Sequence, residues 1–219
     1  MNKLRHWEEV GILQNAAYRV RKTLKSGWSE EAYHQAYVCA LEEEGIPLLS
    51  KPRQPLLHRG HKVHEFKPDI IVWDLIALEL KALPYQQKFI GANFAQIIHY
   101  LKFWKLNLGL LINFGPPKVI VKRVLWDEPP FKLSENYKQF PSDLSELDRH
   151  ELDKIRRIII SLGKEYGLGY PEAFYRNLLA IEASYHNLSC QNGVIVTATW
   201  NGRKIASHKT CLLYTSPSP

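Results

Sequence analysis

The stretch "KPDIIVWDLIALELK", Lys67 to Lys81, limits most tightly what this chain can become. Two apolar runs, Asp69 to Trp73 and Ile76 to Leu80, flank Asp74, a pattern that predicts two strands folded about a turn. Asp69, Glu79 and Lys81 nevertheless interrupt surface that such strands should bury. With the turn centred on Asp74, antiparallel pairing sets residue 69 opposite residue 79, with Cβ atoms roughly 5 Å apart. Side chains alternate along a strand, so Glu79 and Lys81 share a face.

Two half-buried carboxylates at that distance repel and resist joint ionisation unless a cation lies between them. Magnesium or manganese answers that need, since both prefer oxygen ligands and keep sites open for water or a phosphate oxygen. Lys81 would then orient an attacking water and offset phosphate charge. The plainer alternative is a salt bridge from Lys81 to Glu79 or Asp69.

The flanking sequence predicts the rest of a layer. Tyr33, Ala36, Tyr37, Ala40 and Leu41 recur at helical spacing between Ser29, placed to cap, and Gly45, placed to stop. A weaker helical run, Ile12 to Leu24, precedes it. "QPLLHRGHKVHEF" reads as a hairpin turning at Arg59-Gly60, giving an antiparallel meander with the strands that follow. "NFAQIIHYLKFWKL" returns to helical period, and "LGLLINFG" and "KVIVKRV" read as two more strands. The order predicts an α/β sandwich with a central mixed sheet flanked by helices.

At a constant offset of 142 the second half echoes the first: Gly27, Glu30 and Tyr33 fall on Gly169, Glu172 and Tyr175, and Gly60 falls on Gly202. The expected organisation is a first domain over 1–126, a linker over 127–148, and a partial second copy over 149–210. Asp69 projects onto Cys211, so the second copy carries no counterpart of Glu79 or Lys81. The two copies are expected to pack as a pseudo-dimer. Residues 211–219, "CLLYTSPSP", have no period and read as a tail foreign to the native gene.

The formal charge is +7, and residues 1–140 carry 20 Lys and Arg against 14 Asp and Glu, which suits a polyanion partner. Lys102, Lys105, Lys118, Lys122 and Arg123, interleaved with Phe103 and Trp104, are candidates for a phosphate-binding groove; they serve equally as wet faces of a helix and edge strands. Cys39, Cys190 and Cys211 show no CxxC spacing, which argues against a zinc site or a disulfide framework and for a reducing cytoplasm. His61 and His64 should point to opposite faces of their strand, which weakens a zinc reading of "HRGHKVH". No segment reads as a signal peptide or a membrane span.

Together, "PD" at Pro68-Asp69 and "ELK" at Glu79-Leu80-Lys81 resemble the signature of the PD-(D/E)XK nuclease superfamily. "GWSEEAY" resembles the GxxExxY motif of one branch, with Gly27, Glu30 and Tyr33 in the motif positions, and "AQIIHYL" supplies that branch's Gln96 and Tyr100. The resemblance covers about residues 10–125. It implies a restriction-endonuclease-like fold and a divalent ion, Mg2+ or Mn2+, held by Asp69, Glu79 and the Leu80 carbonyl. It also implies Lys81 as the catalytic lysine, Glu30 as an outer acidic residue, and Gln96 facing the site, with Tyr33 and Tyr100 as possible support. The expected partner is nucleic acid, DNA ahead of RNA. A non-catalytic nucleic-acid-binding or protein-interaction module on the same fold is the alternative function.

Overall fold

The structure, a computed structural model, describes residues 6–84, 87–136, 144–188, 190–191, 194–209 and 213–214. Of the segments discussed above, residues 137–143 of the expected linker and residues 210–212 and 215–219 lie outside the described residues. The chain divides into two compact units, Met1–Pro55 with Glu65–Glu128, and Leu56–His64 with Pro129–Pro219.

The first unit is a five-stranded mixed sheet between helices. Helices α1 (Trp7–Leu24) and α2 (Glu30–Glu43) lead into β1 (Leu48–Ser50). The hairpin β2 (Gln54–His58) and β3 (His61–Phe66) follows, then β4 (Ile70–Val72), β5 (Ile76–Lys81), α3 (Gly91–Trp104), β6 (Leu108–Asn113) and β7 (Ile120–Leu125). The strand order is β1-β4-β5-β6-β7, with β5 and β6 parallel and every other neighbouring pair antiparallel. β5 and β6 are buried along almost their whole length, as central strands covered on both faces must be.

Alternation along the strands sorts the two faces. Ile70, Val72, Ile76, Leu78, Leu80, Leu108, Leu110 and Ile112 form one core with Leu13, Ala16, Ala17, Tyr33, Tyr37 and Leu41 of α1 and α2. Burying each of the larger aliphatic side chains contributes about 1.5–3 kcal/mol relative to exposure. The buried Tyr37 hydroxyl donates to the Leu13 carbonyl at 2.8 Å, tying α2 to α1. On the opposite face lie Ile71, Ala77, Glu79 and Leu111, and there α3 approaches so closely that a Cβ on Gly109 would meet Ile97 Cδ1 at 2.5 Å. As expected, Ser29 caps α2, its hydroxyl accepting from the Ala32 N–H at 3.2 Å.

Two expectations are corrected. The β2–β3 hairpin forms, turning at Arg59 and Gly60 with both in the left-handed region, but as a separate two-stranded sheet. The meander partner of β4 is instead β1, too short for any period to mark it. Helix α1 also opens five residues before Ile12, at Trp7.

The second unit holds α4 (Glu146–Tyr166), α5 (Glu172–Tyr185), β8 (Cys190–Gln191), β9 (Ile195–Trp200), β10 (Arg203–Lys209) and β11 (Leu213–Tyr214). Ser145 caps α4, so this helix begins inside the segment expected as linker. The hairpin tip belongs to this unit. His58 Nε2 lies 2.6 Å from Glu182 Oε1 and its Nδ1 lies 2.8 Å from the Tyr166 hydroxyl. Arg59 pairs with the same carboxylate and covers the Tyr185 ring at 3.6 Å, and Asn177 donates to the Val63 carbonyl.

Local geometry recurs at the 142-residue offset. α5 begins 142 positions after α2 and has the same length, 14 residues. The Tyr33 hydroxyl donates to the Lys25 carbonyl at 2.6 Å, and that of Tyr175 to the Gly167 carbonyl at 2.9 Å. The turn at Asn201-Gly202 has φ of 47° and 77°, against 48° and 77° at Arg59-Gly60. No described helix is long and apolar enough to cross a membrane.

Candidate active site

The register of β4 on β5, Ile70 with Leu78, Ile71 with Ala77 and Val72 with Ile76, is centred on Asp74 and carries Asp69 across from Glu79. The turn closes through the Leu75 N–H to the Val72 carbonyl at 2.9 Å, with Trp73 and Asp74 both at φ 53°. The Asp69 main chain is clamped at its carbonyl, which accepts from the Lys51 N–H at 2.8 Å and lies 3.2 Å from His34 Nε2. One side-chain oxygen, Oδ2, accepts from the Leu80 N–H at 2.7 Å.

Glu79 is 2% exposed. Its Oε1 takes the Lys81 ammonium at 2.5 Å, while Oε2 is buried with no hydrogen-bond partner among the described residues. Burial, reinforced by the Asp69 charge, pushes its carboxyl up to about 7, although Lys81 acts the other way. Lys81 Nζ also donates to the Leu80 carbonyl at 2.9 Å and lies 3.7 Å from Glu30 Oε1. Burial opposes its charge, but Glu79 beside it, together with Glu30 and Asp69, outweighs that effect, and the ammonium titrates above its ordinary range.

Residues 8–124, just over half of the chain's length, match the family model of the PD-(D/E)XK nuclease superfamily. The chain belongs to the PD-(D/E)XK nuclease superfamily. No curated protein and no solved structure matches it. Within the PD-(D/E)XK domain, the matched span holds the whole β4–β5 hairpin and the helix α3 that covers it.

Whether such a domain suits a divalent ion is decided by its donors. No cluster of three or more His, Cys, Asp or Glu side chains stands ready among the described residues. The available set is two carboxylates and the Leu80 carbonyl, all hard oxygen donors. Each carboxylate has one oxygen committed to the protein, and Glu79 Oε2 is buried without a partner among the described residues. A buried, unsatisfied carboxylate oxygen is costly, and a hard cation relieves it. The donors therefore fit a hard divalent ion.

The PD-(D/E)XK scaffold brings two α3 residues to this place. Gln96 Nε2 donates to the Tyr100 hydroxyl at 3.0 Å, a pairing one helical turn apart. Burial, then the Glu79 charge, pushes the Tyr100 phenol up to about 12. Tyr33 serves differently. Its ring stacks on Phe114 at 5.0 Å and its hydroxyl is held by the Lys25 carbonyl, so it braces the strand end from the α1–α2 side. Glu30, in the first turn of α2 and 47% exposed, reaches Lys81 from the solvent side.

Two residues of the site escaped the sequence reading. His34, 2% exposed, buttresses the Asp69 carbonyl and lies 3.3 Å from the Ser50 hydroxyl. Its signal was a polar ring within the buried stripe Tyr33, His34, Tyr37, Ala40, Leu41. Asn113, 1% exposed and paired in register with Lys81, accepts from the N–H groups of Leu83 at 2.9 Å and Gly115 at 3.0 Å. It was the one polar side chain in "LGLLIN". With the Phe114 N–H donating to the Lys81 carbonyl at 2.8 Å, it straps the residues after Lys81 to the end of β6.

The five basic groove candidates do not form one groove. The Lys102 ammonium is 2% exposed and paired with Glu128 at 2.7 and 2.9 Å. Lys122 and Arg123 are neighbours on β7 and so project to opposite faces, while Lys105 ends α3 in the left-handed region and Lys118 lies in the β6–β7 connection.

Proposed function

We propose that this chain is a divalent-metal-dependent nuclease that hydrolyses nucleic-acid phosphodiesters, with DNA as the first substrate class. The observation that carries the reading is the buried Glu79 carboxylate, one oxygen held by Lys81 and the other unpartnered, set across the strand pair from Asp69. Asp69, Glu79 and the Leu80 carbonyl would hold Mg2+ or Mn2+. The bound ion supplies Lewis-acid stabilisation of phosphoryl charge and an activated water at neutral pH.

The remaining work falls to the protein's own groups. Lys81, held by Glu79 and charged throughout the neutral range, offers donors to a phosphate oxygen and opposes the charge that develops there. Glu30, on the open side of Lys81, orients the ammonium or a water beside it. Gln96 and Tyr100 present an amide and a hydroxyl that position substrate.

The GxxExxY branch is the assignment we favour within the superfamily, on Gly27, Glu30 and Tyr33. We read residues 149–210 as a partial second copy of the N-terminal half, supported by the matched helix lengths, tyrosine hydroxyl bonds and turn angles at the 142-residue offset.

The decisive experiment incubates the purified chain with Mg2+ or Mn2+ and a panel of single-stranded, duplex and branched DNA and RNA. Cleavage that disappears in Glu79→Gln and Lys81→Ala is the expected result. A wild-type chain that cuts none of them, or variants that cut as well as wild type, would sink the reading.

A further inference from the structure

The last turn of α1 and the β6–β7 connection enclose a cavity of about 480 Å3 lined by Tyr18, Arg21, Lys22, Lys25 and Lys118, with no acidic residue in its wall. Lys22, Lys25 and Lys118 are exposed, and among the described residues none of them has a carboxylate in ion-pair reach. Gathered cations repel one another unless an anion joins them. Lysines at the C-terminal end of α1 suit that helix's dipole, but Lys118 comes from a different element, so the dipole does not account for the convergence.

A cavity in the second unit provides the contrast. Arg156, Arg157 and Lys164 line it, but Arg156 pairs with Glu135 and Arg157 with Asp153, so most of that charge is already neutralised.

The basic cavity is also tied to the candidate active site. Arg21 is buried, and its Nε donates to the carbonyls of Phe114 and Pro116, each at 2.9 Å, which fixes the connection that carries Lys118. The Phe114 N–H donates to the Lys81 carbonyl. One residue therefore separates Arg21 from Lys81, a span of at most about 10 Å between Arg21 Nε and the Lys81 carbonyl oxygen.

We infer that this cavity holds a phosphate of the nucleic-acid strand other than the one being cut. The strand then runs from the Lys81 end of the site towards Lys22, Lys25 and Lys118. Tyr18, 47% exposed at the rim, offers its ring to a sugar or base. This subsite rests on the nuclease reading but is tested apart from it.

The test measures binding of fluorescently labelled 12-nucleotide DNA and RNA strands to the full chain by anisotropy, in EDTA so that nothing is cut, across a salt series. Because the three lysines are exposed, Lys22→Gln, Lys25→Gln and Lys118→Gln combined should leave the thermal unfolding midpoint unchanged. The combination should lower affinity at least tenfold and flatten the log K against log salt slope by about 0.7, the share of one neutralised phosphate on a single strand. A control set, Lys132→Gln, Lys164→Gln and Lys204→Gln, removes the same charge elsewhere and should change the slope far less. The two strands tell whether the phosphate comes from DNA, RNA or either.

Equal effects of the two triple variants, no effect of the first, or a wild-type chain that binds neither strand would overturn the subsite. A chain that binds through these lysines yet cleaves nothing with Mg2+ or Mn2+ would keep the subsite and remove the catalytic reading. A chain that cleaves with a salt slope indifferent to them would do the reverse.

Discussion

The Leu80 main-chain N–H donates to Asp69 Oδ2 at 2.7 Å, so the fold itself uses one oxygen of a candidate metal ligand. Asp69→Asn can keep that bond through its amide oxygen while losing the charge. Its urea stability in EDTA should lie within about 1 kcal/mol of wild type, while Mn2+ affinity by calorimetry falls at least about tenfold. Asp69→Ala should cost a further 1–3 kcal/mol, roughly the penalty of an unmet buried N–H. Unchanged Mn2+ binding in Asp69→Asn would remove this residue from the ligand set.

Glu79 makes stability depend on pH. Its folded-state pKa, raised from 4.5 to about 7, means that the folded chain binds more protons than the unfolded chain between those values. The contribution is fully present below pH 4.5 and is lost as pH rises through about 7, a decline on the order of 3 kcal/mol in metal-free protein. The raised Lys81 pKa acts only at higher pH, outside this window. Urea midpoints at pH 5 and pH 8 should therefore differ in EDTA. The difference should shrink in Glu79→Gln, and saturating Mn2+ should restore wild-type stability at pH 8. A wild-type profile as flat as that of Glu79→Gln would contradict this account.

Asn113, itself buried, carries two half-buried N–H groups on one oxygen. Asn113→Ala should destabilise the first unit by about 2–4 kcal/mol, since both donors lose their partner. Asn113→Asp retains the acceptor and should recover most of that loss in thermal unfolding. Equal losses in the two variants would show that something other than the acceptor matters.

A side chain at Gly115 and one at Gly109 would meet different kinds of neighbour. A Cβ on Gly115 would fall 1.8 Å from the Leu83 carbonyl oxygen, which is backbone and strapped in place, so Gly115→Ala should fail to give a folded first unit in circular dichroism. A Cβ on Gly109 meets only the Ile97 side chain, so Gly109→Ala should cost about 1–3 kcal/mol. Combining it with Ile97→Val should regain part of that. An additive double variant would argue against the contact.

Glu182 binds the hairpin tip. Burial alone would raise its pKa, but Arg59 and His58 prevail and hold it below the usual carboxylate range, so its stabilisation is present above pH 4.5 and lost on further acidification. In Glu182→Gln, the backbone amides of residues 56–64 should exchange about tenfold faster at pH 7, while those of β5 and β6 keep wild-type protection. Uniform acceleration across the chain would indicate global destabilisation instead.

The β4–β5 register was legible in the sequence, because period-two burial and a single turn allow only one pairing that keeps Ile70, Val72, Ile76 and Leu78 inside. Ser29 announced α2 for a similarly local reason. What stayed hidden depended on partners remote in sequence. Strand β1 is three residues long and exists because β4 needs an edge partner. Lys102 read equally as a groove cation and as a solvated one until Glu128, 26 residues on, was brought against it. His34 and Asn113 act on backbone groups of distant segments, and no spacing rule reports which carbonyl or N–H a buried polar side chain will meet.

The detached hairpin has a consequence for synthesis. His58 leaves the ribosome 124 residues before Glu182, roughly 6 to 25 s earlier at ordinary translation speeds. During that interval the nuclease sheet on either side of the hairpin can close while the hairpin tip still lacks its helices. Until Glu182 is made, His58 and Arg59 lack the carboxylate that holds both of them in the folded chain.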